Sequence, residues 1–229
     1  EDKFTFFWNN RNARRKQSGS LLYWYNDFLN EIGRDKARLI LHTEPKDPNG
    51  QDLVAIMHNL NLVNGEGYLS TNKLPPESLA LMYNMADVTV NISDAEGFGL
   101  STLESLSCGT PIVVTMTGGL QEQVTDGENW FGIGLEPTSK AIIGSQQVPF
   151  IYEDRLSRDA VVNGFLEIYN KTPEERATLG LAGRNHVLLN YGYEAYKERW
   201  VELIKTVTEN YGSWENRKNY QSWHFMEVA

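Results

Sequence analysis

Short apolar runs alternate along the chain with longer stretches whose apolar residues recur every three or four positions. The runs predict buried strands at 4–8, 38–43, 67–70, 88–92, 111–115 and 131–135. The longer stretches predict helices at 21–32, 52–60, 101–107, 159–169, 173–189 and 193–211, with another opening at Pro75-Pro76. Leu22, Tyr25, Phe28, Leu29 and Ile32 form the inward stripe of the first helix, and Gly33 can close it. Leu53, Ile56, Met57 and Leu60 play that part in the second, and Leu79, Leu81, Met82 and Met85 are expected to do so after Pro75. Thr172 and Glu175 make a capping box. Strands alternating with helices argue for an α/β fold built on a doubly wound parallel sheet. Residues 139–152 break the alternation and read as a small insertion without an assigned role.

In such a sheet, ligands bind beyond the carboxyl ends of the strands, and the candidate chemistry gathers at two of those ends. The run 88–92 leads into Ser93-Asp94-Ala95-Glu96-Gly97-Phe98-Gly99-Leu100-Ser101-Thr102-Leu103-Glu104. The order strand, glycine loop, helix aims backbone N–H groups and the positive end of a helix at one point, which suits a phosphate. Glycines let a ligand approach the backbone closely. Glu96 in the loop and Glu104, about one turn into the helix, can both face one ligand, with hydroxyls as natural partners. The second place follows the first strand, where Arg11, Arg14, Arg15 and Lys16 put four cations in six residues. An arginine forks onto phosphate oxygens and a lysine adds a point charge. Arg14 and Arg15 are expected to face solvent. Arg11, Tyr68, Glu96 and Gly118 are expected just after predicted strands, so one crevice can collect them. No Gly-x-Gly-x-x-Gly follows the first strand and no Walker-type phosphate loop occurs, which disfavours a dinucleotide enzyme and a phosphate-loop ATPase.

Size and charge narrow the picture. The chain has 229 residues, 41% hydrophobic and 11% aromatic, enough for a globular domain with a substantial core. A net charge of −9 argues against nucleic acid or an anionic membrane as the main partner, yet leaves room for a small anionic ligand beside local cations. No apolar run approaches the roughly 20 residues needed to span a bilayer. Glu1-Asp2-Lys3 shows no signal peptide. The single cysteine, Cys108, fits a reducing compartment and reads as packing, so a cytoplasmic location is expected.

The run Glu-Gly-Phe-Gly-Leu-x-x-Leu-Glu from Glu96 to Glu104 continues as Ser-Leu-Ser-Cys-Gly-Thr-Pro-Ile-Val-Val-Thr. It closely resembles the donor-binding signature of the retaining group 1 glycosyltransferases, which have two facing Rossmann-like domains, the GT-B architecture. The basic loop resembles the family's Gly-Arg, four residues, Lys; Arg11 and Lys16 keep that spacing, and Asn10 stands where the family has glycine. The resemblance covers roughly residues 4–207 and implies the C-terminal, donor-binding half of such an enzyme. It implies that Arg11 and Lys16 grip the donor diphosphate and offset charge developing on the leaving group. It further implies that Glu96 contacts sugar hydroxyls, which makes Glu96, Arg11 and Lys16 the expected catalytic set. Glu104 is implied to contact the ribose. The backbone of Gly97, Phe98, Gly99, Leu100 and Ser101 is implied to hold the sugar and diphosphate. By the same resemblance, Tyr68, Leu69 and Ser70 lie beside the base, and Gly118 and Gly119 near the sugar. Asp94-x-Glu96 resembles the metal-binding Asp-x-Asp of a different transferase architecture. Its setting in the Glu-Gly-Phe-Gly loop predicts no required metal, and no cofactor besides the nucleoside-diphosphate sugar donor.

The implied activity is transfer of a sugar from that donor to an acceptor hydroxyl, a hexosyltransferase-type reaction. A missing N-terminal acceptor domain or a partner chain would complete it, and this half alone is expected to be inactive. Two alternatives stay open: a stand-alone, non-catalytic nucleotide-sugar binding module, and part of a nucleotide-sugar epimerase. Residues 1–212 are expected to form the nucleotide-sugar-binding domain, and 213–229 a tail in which Trp214, Trp223 and Phe225 suggest docking. The preceding helix carries Tyr196, Trp200, Leu203, Ile204 and Val207 on one face. In the family the terminal helix crosses back to the N-terminal domain. Neither nucleic acid nor a transmembrane segment is expected, and any membrane contact falls to the missing half.

Overall fold

The computed structural model of this chain describes residues 3–218. Its central sheet has six strands: β1 (Phe4–Asn9), β2 (Ala37–His42), β3 (Gly67–Ser70), β4 (Val88–Asn91), β5 (Ile112–Thr115) and β6 (Gly132–Leu135). They run in the order β3-β2-β1-β4-β5-β6, and every pairing is parallel. This is the doubly wound, Rossmann-like sheet that the alternation predicts. The winding reverses between β1 and β4, the place where ligands of open α/β sheets bind. The basic loop leaves β1 and the glycine loop leaves β4, so the topology alone sets them side by side.

Among the described residues, seven helices flank this sheet: α1 (Ser18–Ile32), α2 (Leu53–Asn59), α3 (Pro76–Met85), α4 (Leu100–Ser107), α5 (Leu120–Val124), α6 (Arg158–Asn170) and α7 (Pro173–Asn190). Both faces of β1 are buried, as a central parallel strand requires. Phe6 and Trp8 point into the larger core with Tyr25 and Phe28 of α1 and Phe165 of α6. Phe7 points the other way, edge-on to Tyr83 of α3. Gly33 closes α1 with φ +105° and donates to the Leu29 carbonyl. Thr172 and Glu175 form the expected capping box, with reciprocal bonds of 2.7 and 3.2 Å.

Three expectations change. The buried face of α3 holds Tyr83 with Leu79 and Met82, while Leu81 and Met85 are exposed. Tyr68 lies within β3 rather than beyond its end, and its side chain is exposed. The insertion is an antiparallel hairpin, β7 (Ser139–Ile142) and β8 (Tyr152–Arg155), separate from the main sheet and reaching past residue 152.

The chain divides into two compact units, one ending at Val187 and one starting at Leu188. The second contains α8 (Tyr193–Tyr211), which has no buried residue; Tyr196, Trp200, Leu203, Ile204 and Val207 are all exposed. Trp214 is exposed beneath the Arg217 guanidinium. Trp223 and Phe225 lie outside the described residues. Among the described residues, no helix is long and apolar enough to cross a membrane.

Candidate functional site

A crevice of about 400 Å³ opens where the β1 and β4 loops meet. Asn9, Asn10, Arg11 and Lys16 line one wall, and Glu96, Phe98, Gly99, Leu100, Ser101 and Glu104 the other. Most of the predicted loop residues thus face one space. Gly97, Gly118 and Gly119 do not line it. Tyr68, Leu69 and Ser70 are on the edge strand, two strands from β1, and do not line it. Ser70 instead bonds His42, Oγ to Nδ1, at 2.9 Å.

Each wall has a local reason for its shape. Gly99 caps α4 with φ +88°, and a Cβ there would stand 2.6 Å from Leu120 Cδ2. Only glycine fits both the left-handed backbone and that gap. Thr102 Oγ1 donates to the Gly99 carbonyl or to Gln123 Oε1, at 2.9 and 2.6 Å, and Gln123 Nε2 donates to the Phe98 carbonyl at 2.6 Å. The second glycine turn props the loop from behind. Gly118 has φ +49°, and a Cβ on it would meet the Glu96 carbonyl oxygen at 1.8 Å. The Gly119 N–H donates to that same oxygen. Gly118 and Gly119 therefore seat the Glu96 backbone.

Lys16 is the main departure from an exposed basic loop. It ends a single 3-10 turn, Arg14–Lys16, and is buried, with its ammonium bonded to the Glu96 carboxylate. Each of the two side chains is only 9% exposed. Burial pushes Lys16 below its usual value against the opposing pull of Glu96. Burial also opposes the charge on Glu96, but the Lys16 bond and charge outweigh it and hold that carboxylate below its ordinary range. Arg15 adds its guanidinium 3.6 Å from Glu96 and donates to the Ala95 carbonyl at 2.7 Å. Arg14 forks onto Glu153 at 2.9 and 2.6 Å. Both arginines are exposed, as expected, and each also reaches a carboxylate or carbonyl distant in sequence.

Arg11 remains exposed and pairs with Asp47 through Nε at 2.7 Å and Nη2 at 3.2 Å. That bond holds the Asp47 carboxyl well below the usual range. The Asp47 side chain is largely covered, but the guanidinium itself is exposed and free to turn to another anion. Asn10 Nδ2 is buried and has no hydrogen-bond partner among the described residues, which leaves a donor at the crevice wall.

Sequence reasoning missed the support of Glu104. The Tyr83 hydroxyl donates to Glu104 Oε2 at 2.8 Å and accepts from Asn9 Nδ2 at 2.8 Å. Burial pushes the Tyr83 hydroxyl far up, so it stays a donor and fixes the carboxylate. Asp94 was also missed as a support: it is nearly sealed and accepts from Gln17 and Arg155. Among the described residues no group of three or more His, Cys, Asp or Glu could hold a metal ion.

Residues 52–143 match the family model described as glycosyl transferases group 1. Through this segment, under half of its length, the chain is similar to the group 1 glycosyltransferases. The D-inositol 3-phosphate glycosyltransferase of Acidothermus cellulolyticus is 36% identical over 117 residues, 46% of this chain and 26% of that relative. The like-named protein of Streptosporangium roseum is 51% identical over 53 residues, 23% of this chain and 12% of its own length. The sucrose-phosphate synthase from Thermosynechococcus elongatus superposes with a TM-score of 0.69 at 24% identity, over 91% of this chain and 46% of its own. A trehalose-6-phosphate structure from E. coli bound with UDP-2-fluoro glucose gives 0.65 at 14% identity, over 89% and 44%. These solved structures establish the fold, a Rossmann-like domain of the GT-B architecture. The chain spans about a quarter of the first relative's length and under half of either structure's.

Proposed function

We propose that the crevice binds a nucleoside-diphosphate sugar and that this chain is the donor-binding half of a retaining glycosyltransferase. The observation that carries the reading is the convergence of Lys16, Arg11, the α4 N-terminus and two carboxylates, Glu96 and Glu104, on one space. Cations and helix N–H groups suit the diphosphate, and carboxylates suit hydroxyls. In this reading Glu104, oriented by Tyr83, holds the ribose, and Glu96 holds the sugar. Arg11 leaves Asp47 for the diphosphate, and Asn10 adds its unpaired N–H. During transfer the bond between the sugar's anomeric carbon and the diphosphate oxygen breaks, and its electron pair stays on that oxygen. The acceptor hydroxyl oxygen bonds the anomeric carbon, and its proton passes to the departing diphosphate. Arg11 and Lys16 offset the charge that develops there. The reading calls for no metal, because Asp94 of the Asp-x-Glu pair is taken up by Gln17 and Arg155. In this reading the acceptor site falls to the part of the relatives that the chain does not span.

Thermal shift against a panel of nucleotide-sugars and nucleoside diphosphates tests the proposal. A ligand at a hundred times its dissociation constant stabilises the fold by about 2.7 kcal/mol. A rise in melting temperature with at least one ligand, lost in Arg11→Ala, is the expected result. No shift with any of them sinks it.

A further inference from the structure

We propose that the β7–β8 hairpin is a positioning element of the donor site, acting through Glu153 and Arg155 on the two loops that carry Lys16 and Glu96. The inference rests on reading the crevice as a diphosphate site.

The hairpin shares no strand with the main sheet. Apolar burial does not hold it in place: Ile142 and Tyr152 are exposed, and the one fully buried residue in its two strands is Glu153. Lys140 and Asp154 pair within it, and its ion pairs to the rest of the described residues go to the donor loops. Glu153 accepts from both terminal guanidinium nitrogens of Arg14. Arg155 bonds the Asp94 carboxylate and lies 3.2 Å from Glu153. The Asp154 N–H donates to the Asp94 carbonyl at 2.9 Å. Glu153 and Asp94 are each only 4% exposed, so two nearly sealed carboxylates are matched by two guanidinium groups. A buried carboxylate that loses its cation is costly, so each pairing constrains geometry strongly.

Arg14 stands two residues before Lys16, and Asp94 two residues before Glu96. The loops are also stitched directly: the Asp94 N–H donates to the Arg15 carbonyl at 2.8 Å. The hairpin is thus the third side of a frame whose other two sides present the diphosphate cation and the sugar carboxylate. Small displacements of binding groups are expensive in affinity and rate. That explains why a peripheral hairpin spends its one sealed side chain on this contact.

The test uses the full protein with uridine, guanosine, adenosine and thymidine diphosphates as probes, and the corresponding free nucleosides as controls. Glu153→Gln keeps the side chain's shape and removes its charge. For whichever diphosphate binds best, its affinity should fall by about tenfold, while that of the nucleoside stays unchanged. Arg14→Gln should give the same loss, and the double variant should be no worse than either single one. If Glu153→Gln does not fold, Arg14→Gln, on a partly exposed side chain, carries the test alone. A folded variant with wild-type diphosphate affinity overturns the positioning role and leaves the donor-site reading intact. Equal losses for nucleoside and diphosphate also overturn it, because they signal general damage. Wild-type protein that binds no diphosphate overturns the donor-site reading, and this inference with it.

Discussion

Replacing Lys16 by methionine removes the cation from a contact in which both side chains are nearly sealed. Methionine keeps the apolar stem and leaves the Glu96 carboxylate without its closest partner. Breaking a fully buried pair in this way costs about 3–5 kcal/mol. Here Arg15 remains 3.6 Å away and partly wet, so it can take over some of the charge. The expected loss is therefore about 2–3 kcal/mol, or about 4–12 °C in melting temperature for a unit of this size. Glu96→Gln in the same chain removes the orphaned charge, so the double variant should recover at least about 1 kcal/mol of that loss. Urea unfolding followed by tryptophan fluorescence reads this directly, because Trp8 is fully buried at the end of β1. A loss below about 0.5 kcal/mol for Lys16→Met, or a double variant as unstable as the sum of the singles, refutes the buried pair. Arg11→Met makes the contrast: its side chain is exposed, and the loss should stay within about 1 kcal/mol.

Tyr83→Phe removes the donor that fixes Glu104; calorimetric titration should find nucleoside diphosphate binding weaker by about 0.5–1.5 kcal/mol, and unchanged affinity would show that Glu104 needs no such support. Acid should expose the Glu96–Lys16 pair as well. Glu96 is held below its ordinary value of 4.5, so its contribution is complete above that pH and is lost as pH falls through the lower folded value. Unfolding measured at pH 7, 4.5 and 3.5 should therefore show a stability loss in the wild type that is smaller in Glu96→Gln, and equal losses would contradict the assignment.

The fold was legible because its signals are local. Continuous apolar runs such as Phe4–Asn9 are what buried parallel strands look like, and glycine loops mark the strand-to-helix turns. The site was legible only as far as residues adjacent in sequence define it. A run of cations looks solvated, and the burial of Lys16 is decided by a carboxylate 80 positions away. The inward face of α3 is hard to read from sequence because Tyr83, its buried residue, carries a polar tip. Its ring nevertheless packs on Phe7 while its hydroxyl reaches Glu104. The hairpin was opaque for a similar reason. Its strands carry little apolar periodicity, and Arg14 and Asp94 lie 139 and 61 positions from the residues that bind them.

The central claim is that one crevice holds a nucleotide-sugar, with its ribose on Glu104 and its sugar on Glu96. Calorimetric titration of Glu104→Gln and Glu96→Gln, each with a nucleoside diphosphate and the matching nucleotide-sugar, tests it most directly. Glu104→Gln should weaken both ligands, by about ten- to a hundredfold for a lost charged hydrogen bond. Glu96→Gln should spare the bare diphosphate and weaken only the nucleotide-sugar. If the two variants respond identically to the two ligands, the assignment of ribose and sugar to these carboxylates is wrong.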